Sequence, residues 1–496
     1  MLFNSYEFIW LYLPIVWCVF FLAARYRQEA AAAWLALASL FFYGYWDAHY
    51  VPLLLFSIAV NYQIGKQICN NIDNGNQPRA KQWLILGLVF DLGLLAHYKY
   101  TGFFLGSWQA VTGADIDIPN IILPLGISFF TFTQIAYLAD AYKGIVKERN
   151  PVHYLLFITY FPHLIAGPVL HHKQMMPQFG QPETYRINQE NIAVGLTIFA
   201  IGMFKKVIIA DSLAGFANPV FAVSKHPGLL SPEEAWLGSL AYALQLYFDF
   251  SGYSDMAIGL SRLFGIQLPL NFNSPYKSTS IIDFWRRWHM TLSQFLRDYL
   301  YFTLGGNRHG KARRYINLML TMLLGGLWHG AGWTYVIWGG LHGIYLAINH
   351  VFREFFPPPE NSNSLPAKTR ALIGWALTML AVLFSFVLFR ATSLDDAIVI
   401  MQAMTGLRPD SNMPVVHILE HAEDGWNYVL WAGLLALLAP NTQEIMSNFR
   451  PAWEKVSSDT RLKWRPHPAV ALLTAIMLGY SIVNIGQVSE FLYFQF

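Results

Sequence analysis

The sequence predicts an all-α polytopic membrane protein, and three observations carry the prediction. Of the 496 residues, 55% are hydrophobic and only 13% are charged, about half the charged share of a soluble domain. The apolar residues gather in runs long enough to cross a ~30 Å hydrocarbon core as helices. Lys and Arg collect between those runs, as they do in cytoplasmic loops. A net charge of +3 is too small to point to nucleic acid. Cys18 and Cys69 fall in or beside different apolar segments, so neither a disulfide framework nor a metal-ligand spacing is present.

Each element follows from its residues. Phe8 to Ala24 has no positive charge before it and Arg25 and Arg27 after it. It therefore reads as a retained span, not a cleaved leader, with Met1 outside and Arg25 in the cytoplasm. Further spans are expected at 31–47, 50–65 and 83–98, with a polar connector from Lys66 to Lys81 between the last two. Gly113 to Asn120 carries Asp115 and Asp117 and suits the outside; Pro124 to Tyr142 returns to a basic loop with Lys143, Lys147 and Arg149. Tyr154 to Ala166 is short and runs into Pro162 and Gly167, as a re-entrant segment does, its broken backbone buried in protein. Ile192 to Phe221 holds Lys205 and Lys206, expected to snorkel or mark an interface. Trp236 to Phe264 holds Asp249 and Asp255, which are costly there unless hydrogen-bonded and are expected to organise helix packing. Ala371 to Arg390 is a span, and Ser393 to Asp424 reads as an acidic external loop. Leu430 to Pro440 crosses with its flanks, Met446 to Arg465 is basic and cytoplasmic, and Ala469 to Ile485 is the last span. The total is about ten or eleven membrane helices, two or three of them re-entrant.

The stretch Phe284 to Gly343 organises the rest. Its first half is basic and aromatic, with Arg286, Arg287, Arg297, Arg308, Lys311, Arg313 and Arg314. Trp285-Arg286-Arg287-Trp288-His289 reads as an interfacial amphipathic helix in which Asp283 and Arg287 pair one turn apart. Such a face suits a soluble anionic donor with an aromatic ring system, although ordinary positive-inside charge explains the arginines as well. From Tyr315 to Ile348 the chain is apolar between basic flanks, so it is expected to enter the membrane and return, breaking at the glycine-rich Gly325 to Gly332. His329 then lies about 22 Å from Arg314, past the midplane. An ionisable group at that depth marks a candidate site, against the simpler account that it only bonds across helices. His342, His163, His171 and His172 are expected to be structural.

Long motifs now point to a family. They include LPLGISFFTFTQIAYLADAY from Leu123, FPHLIAGPV from Phe161, QLYFDFSGYSDMAIGL from Gln245, FWRRWHMTLSQFLRDYLYFTLGGNR from Phe284, LLGGLWHGAGWTYVIWGGLHG from Leu323 and the terminal FLYFQF. Over nearly its whole length the chain resembles the membrane-bound O-acyltransferases, above all the branch that O-acetylates bacterial exopolysaccharides such as alginate. The resemblance implies a single integral membrane domain with peripheral helices at about 1–110, a catalytic core at about 120–350 and C-terminal helices at about 366–496. It implies His329 as the catalytic residue and His289 as its second polar residue. Trp285, Arg286, Arg287, Trp288 and Arg297 are the expected donor-binding residues. Acetyl-CoA is the expected donor substrate; no permanently bound cofactor and no metal are expected. Periplasmic partners resembling Ser-His-Asp esterases, membrane lipids and, indirectly, the exopolysaccharide are the expected partners, in the bacterial inner membrane. No Gly-x-Ser-x-Gly elbow occurs in the chain, in keeping with that division of labour. A neutral imidazole can take the proton of an attacking hydroxyl, and an acetyl-imidazole intermediate stays equally open. Cellulose, peptidoglycan and, by D-alanyl transfer, teichoic acid are alternative acceptors. A transporter with midplane polar residues is the alternative of another class, but it calls for repeated halves that the sequence lacks.

Overall fold

The computed structural model describes all residues except 147, 166, 223–228, 358–363, 408–414, 457, 487–491 and 493–496. Lys147 and all of the terminal FLYFQF motif but Leu492 thus lie outside the described residues. The chain is helical almost throughout. The one β feature among the described residues is a two-rung parallel ladder, Leu229 with Val415 and Leu230 with Val416. Among the described residues, three helices are long and apolar enough to cross a membrane, Gln77–Thr112, Gln189–Phe221 and Leu365–Arg390, and two shorter helices, Phe8–Ala24 and Pro468–Val483, are also apolar. Exposed apolar side chains such as Ile85, Val89 and Trp108 on the first and Leu372, Leu377 and Leu380 on the third suit contact with lipid.

The chain forms two compact units. One comprises Met1–Met203, Tyr253–Leu270 and Thr442–Ile485. In it the Phe8–Ala24 helix packs on Gln28–Gly44, Val51–Asp73 packs on Gln77–Leu95 and Ile127–Tyr142, and Gln189–Met203 packs on Pro468–Val483. Some of its buried polar groups pair across helices. Asn61 Nδ2 donates to Asp91 Oδ1 at 2.7 Å and Ser57 Oγ to Gln134 Oε1 at 2.8 Å. The expected re-entrant segment is a broken helix, Pro151–Thr159 followed by the single turn Phe161–Leu164, buried save for Pro151, Val152 and Leu155. His163 Nε2–H donates to the Phe157 carbonyl at 2.8 Å, His172 pairs with Asp140 at 2.9 Å, and His171 joins a capping box with Gln174. Asp255 accepts from Thr442 Oγ1 and Gln443 Nε2 at 2.6 and 3.0 Å. His172 and Asp255 thus tie separate elements together, while His163 and His171 make local bonds.

Two connectors of this unit differ from expectation. Val51–Asp73 runs helical through Lys66 and ends at Gly75, whose φ of +71° closes it. The polar residues there solvate a helix end instead of breaking it. The next helix likewise continues past Lys99, through a π turn at Ala96–Tyr100, to Thr112 and Gly113.

The second unit comprises Phe204–Gly252, Asn271–Asn441 and Gly486–Phe496. Lys206 corrects the expectation of a snorkelling or interfacial lysine. It is 2% exposed and reaches Asp211 and Asp249, each at 2.7 Å, because a buried charge is tolerable only when paired. The stretch read as an external loop contains the helix Leu394–Thr405, whose first turn holds Asp395 and Asp396 behind a Ser393 cap. Tyr315 to Ile348 does turn back on itself. Gly310–His329 and Trp333–Phe355 form an antiparallel hairpin, and Lys311 bonds Glu354 where its two open ends meet.

Candidate active site

The hairpin sets His329. Its arms cross so closely that a Cβ on Gly326 would sit 2.2 Å from the Tyr335 carbonyl oxygen, and one on Gly339 2.3 Å from that of Met322. Only glycine permits that approach. The Gly310–His329 helix ends on the histidine, and Gly330 continues in extended backbone. His329 is 6% exposed and enclosed edge-to-face by Trp328, Trp338 and Phe389, with centroids 4.9, 5.2 and 5.2 Å away.

His289 comes from a different kind of element. The helix Ile281–Arg287 stops, and His289 takes the left-handed conformation, φ 43° and ψ 53°, before Met290–Phe295 begins. A non-glycine residue there carries backbone strain of about 1–3 kcal/mol, of the sort found at functional sites. The strand-like stretch beside it holds the strain in place. Met290 N–H donates to the Asn271 carbonyl and Asn273 N–H to that of Arg287, both at 2.9 Å. The break overturns the interfacial amphipathic helix expected at Trp285 to His289. Trp285, Trp288 and His289 are all buried, since the break turns their rings inward.

The two histidines meet, their ring centroids 6.2 Å apart. His289 Nδ1 lies 3.0 Å from Asn271 Oδ1, which also accepts from Thr291 Oγ1 at 2.9 Å. With Oδ1 as acceptor, the His289 proton sits on Nδ1 and Nε2 carries the lone pair. Phe250 closes the other side of the His289 ring, edge-to-face at 4.8 Å. The site is thus an apolar, aromatic enclosure around two imidazoles, a setting that excludes water and strengthens polar contacts made inside it.

The remaining expected site residues fall into two groups. Arg286 and Arg297 are exposed, Arg297 pairing with Asp298 at 2.9 Å. Arg287 bonds Asp283 at 3.0 Å, the pairing expected one turn apart, and the Asn273 carbonyl at 3.3 Å. Trp285 donates its indole N–H to His342 Nδ1 at 3.2 Å, and Trp288 stacks on Phe284 with centroids 5.5 Å apart. His342 passes its other nitrogen to Ser385 Oγ at 3.0 Å, so it braces the hairpin's second arm against the Leu365–Arg390 helix. Two residues of the site escaped sequence reasoning. Asn271 sits in a buried connector with no periodic signal, and the Trp338 indole N–H, buried against His329, has no partner among the described residues.

Comparison with known proteins decides the family. The family model for membrane-bound O-acyltransferases matches residues 3–391. The chain belongs to the membrane-bound O-acyltransferase family. It is a multi-pass membrane acyltransferase. Among its relatives, the peptidoglycan O-acetyltransferase of Helicobacter pylori is 39% identical and covers 100% of this acyltransferase and 98% of its own length. The probable alginate O-acetylase AlgI of Pseudomonas aeruginosa is 44% identical over 82% of this chain and 75% of its own. The teichoic acid D-alanyltransferase of Bacillus subtilis is 31% identical over 54% and 69%.

Proposed function

We propose that this acyltransferase takes an acetyl group from cytoplasmic acetyl-CoA and passes it across the inner membrane for O-acetylation of a polysaccharide, with His329 as general base. The juxtaposition of His329 and His289 in one apolar enclosure carries the proposal. In the step proposed, an acceptor hydroxyl oxygen attacks the thioester carbonyl carbon and His329 removes the hydroxyl proton. The C–S bond then breaks, the sulfur leaves as thiolate, and the imidazolium returns the proton to it. His289, its Nδ1–H held by Asn271, presents Nε2 to the same space and orients the acceptor. The Trp338 N–H stands beside His329 as a donor for the oxygen that gains charge. Exposed Arg286 and Arg297 form the donor-side mouth, with Arg287, Trp285 and Trp288 holding its frame. A periplasmic esterase-like partner completes delivery to the polymer.

Alginate is the acceptor named for the relatives that match at 42–44% identity. Peptidoglycan is a second reading, and the end-to-end match to the Helicobacter pylori enzyme favours it. The test pairs His329→Gln with His329→Ala in purified protein. Loss of a positioned base removes about 10²–10⁴ of the rate, so both variants should lose acetyl transfer while keeping the wild-type melting temperature. An active His329→Gln protein refutes the catalytic role. Presenting alginate and peptidoglycan fragments with the cognate periplasmic partner separates the two acceptors.

A further inference from the structure

We propose that the second unit carries a binding site for an anionic glycerophospholipid, in a cavity of about 1160 Å³ between the Trp333–Phe355 and Leu365–Arg390 helices. The cavity is larger than the usual ~300–1,000 Å³ of small-molecule sites, and its lining is graded. At one end stand Arg353, Arg370, Ser280 and Thr369; at the other Leu377 and Ala381. Arg370, Gly374, Leu377 and Ala381 follow one another along a single face of the second helix, which from Arg370 to Ala381 spans about 16 Å. That is about half of a ~30 Å hydrocarbon core, the depth of one leaflet. A polar head and an apolar tail of that length describe a membrane lipid.

The charge fixes the lipid's sign. Arg286 and Arg370 both lie close enough to Arg353 to repel it, and Arg286, Arg314 and Arg353 gather around His350. The nearest acids are already engaged, Asp283 by Arg287 and Glu354 by Lys311. Among the described residues, Arg286, Arg314, Arg353 and Arg370 have no carboxylate within salt-bridge distance. Arg353 gives one N–H to Ser280 Oγ at 2.8 Å, and Arg370 lies over the Phe352 ring while donating to the Phe356 and Pro357 carbonyls at 2.6 Å. Both guanidiniums are thereby oriented yet keep donors to spare, since each carries five N–H groups. Basic pockets between membrane helices hold anionic head groups by this means. The exposed Ile348, Ile373 and Leu377 along the rim leave the slot open to the bilayer, so the occupant can enter sideways.

Native mass spectrometry of the full chain in zwitterionic detergent, titrated with phosphatidylglycerol or phosphatidylcholine, tests the site. Wild type should retain phosphatidylglycerol in preference. Arg353→Gln/Arg370→Gln should weaken that retention about thirtyfold, the worth of two arginines near an anionic head group. Ala381→Trp fills the tail slot and leaves the arginines alone; it should lower retention as well, and it decides the matter if the arginine pair misfolds. Equal retention of both lipids, or unchanged retention in the tail variant, overturns the site. So does displacement of the lipid by glycerol phosphate, which would mean a free-phosphate site, or by acetyl-CoA, which would mean a donor site.

Discussion

Gly326→Ala measures how far the hairpin crossing controls the chemistry. The added Cβ would stand 2.2 Å from the Tyr335 carbonyl oxygen and 3.1 Å from the Gly339 Cα. An ordinary C···O contact lies at about 3.3–3.6 Å, so the arms must part by about 1 Å, and the obstacle is backbone that cannot rotate away. Overpacking of this kind costs about 1–3 kcal/mol, offset by up to about 1 kcal/mol from alanine's better helix propensity. With the full offset the net loss should be about 0–2 kcal/mol. Activity should fall further than stability. His329, the proposed base, is one turn on, and a misplacement of about 1 Å in a catalytic group can cost 10²-fold in rate. Gly340→Ala is the matched control, because its Cβ would meet only the flexible Leu323 Cδ2, at 3.4 Å. Melting temperature and acetyl transfer of the two purified variants form the assay. If Gly326→Ala keeps wild-type rate and melting temperature, the crossing does not position His329.

Three further outcomes are expected. Lys206→Met should destabilise the protein by about 3–5 kcal/mol, because it leaves Asp249 buried without its cation; adding Asp249→Leu should recover part of the lost melting temperature. Asn271→Ala should lower kcat more than it raises KM by freeing the His289 ring, whereas Asn271→Asp keeps an acceptor at the same reach and should retain more activity; the reverse order would mark Asn271 as merely structural. Burial raises the Glu454 carboxyl above its ordinary range, although the Leu270 N–H donates to it at 2.8 Å. The folded state therefore holds that proton more tightly, and its stabilising effect is lost as pH rises through the raised value. Glu454→Gln should remove this part of the pH dependence of melting, and identical wild-type and variant profiles would contradict it.

What could be read from the sequence, and what could not, follows from the range of the forces involved. The hairpin was legible because its signals are local, a glycine run between two basic flanks. The expectation that His163, His172 and His342 are structural agrees with their bonds to the Phe157 carbonyl, Asp140 and Ser385. Lys206 was misread because its partners are not helical neighbours in the ordinary sense. Asp211 is five residues on, a spacing that an α-helix turns away and the π turn Phe204–Ala210 brings round, and Asp249 belongs to another helix. His289 was placed on a helix because Trp-Arg-Arg-Trp-His has no helix breaker. The break depends on backbone bonds from Asn271 and Asn273, which tertiary structure alone supplies. Asn271 left no mark in the sequence, since one asparagine in a connector resembles any other.

The places where local preference loses are also the places that lead to the histidines. The π turn delivers Lys206 to Asp249, and the next residue, Phe250, closes the His289 ring at 4.8 Å. The left-handed backbone at His289 turns that ring toward His329, and the glycine crossing sets the end of the helix on which His329 stands. Each departure costs stability by itself. A helix with regular hydrogen bonds, a helical His289 and alanines in the hairpin would each be locally better. Three such costs converging on two imidazoles are hard to ascribe to packing alone, because packing gains nothing from a strained histidine that glycine or asparagine could replace more cheaply. The strain makes sense if the imidazole must point where it does.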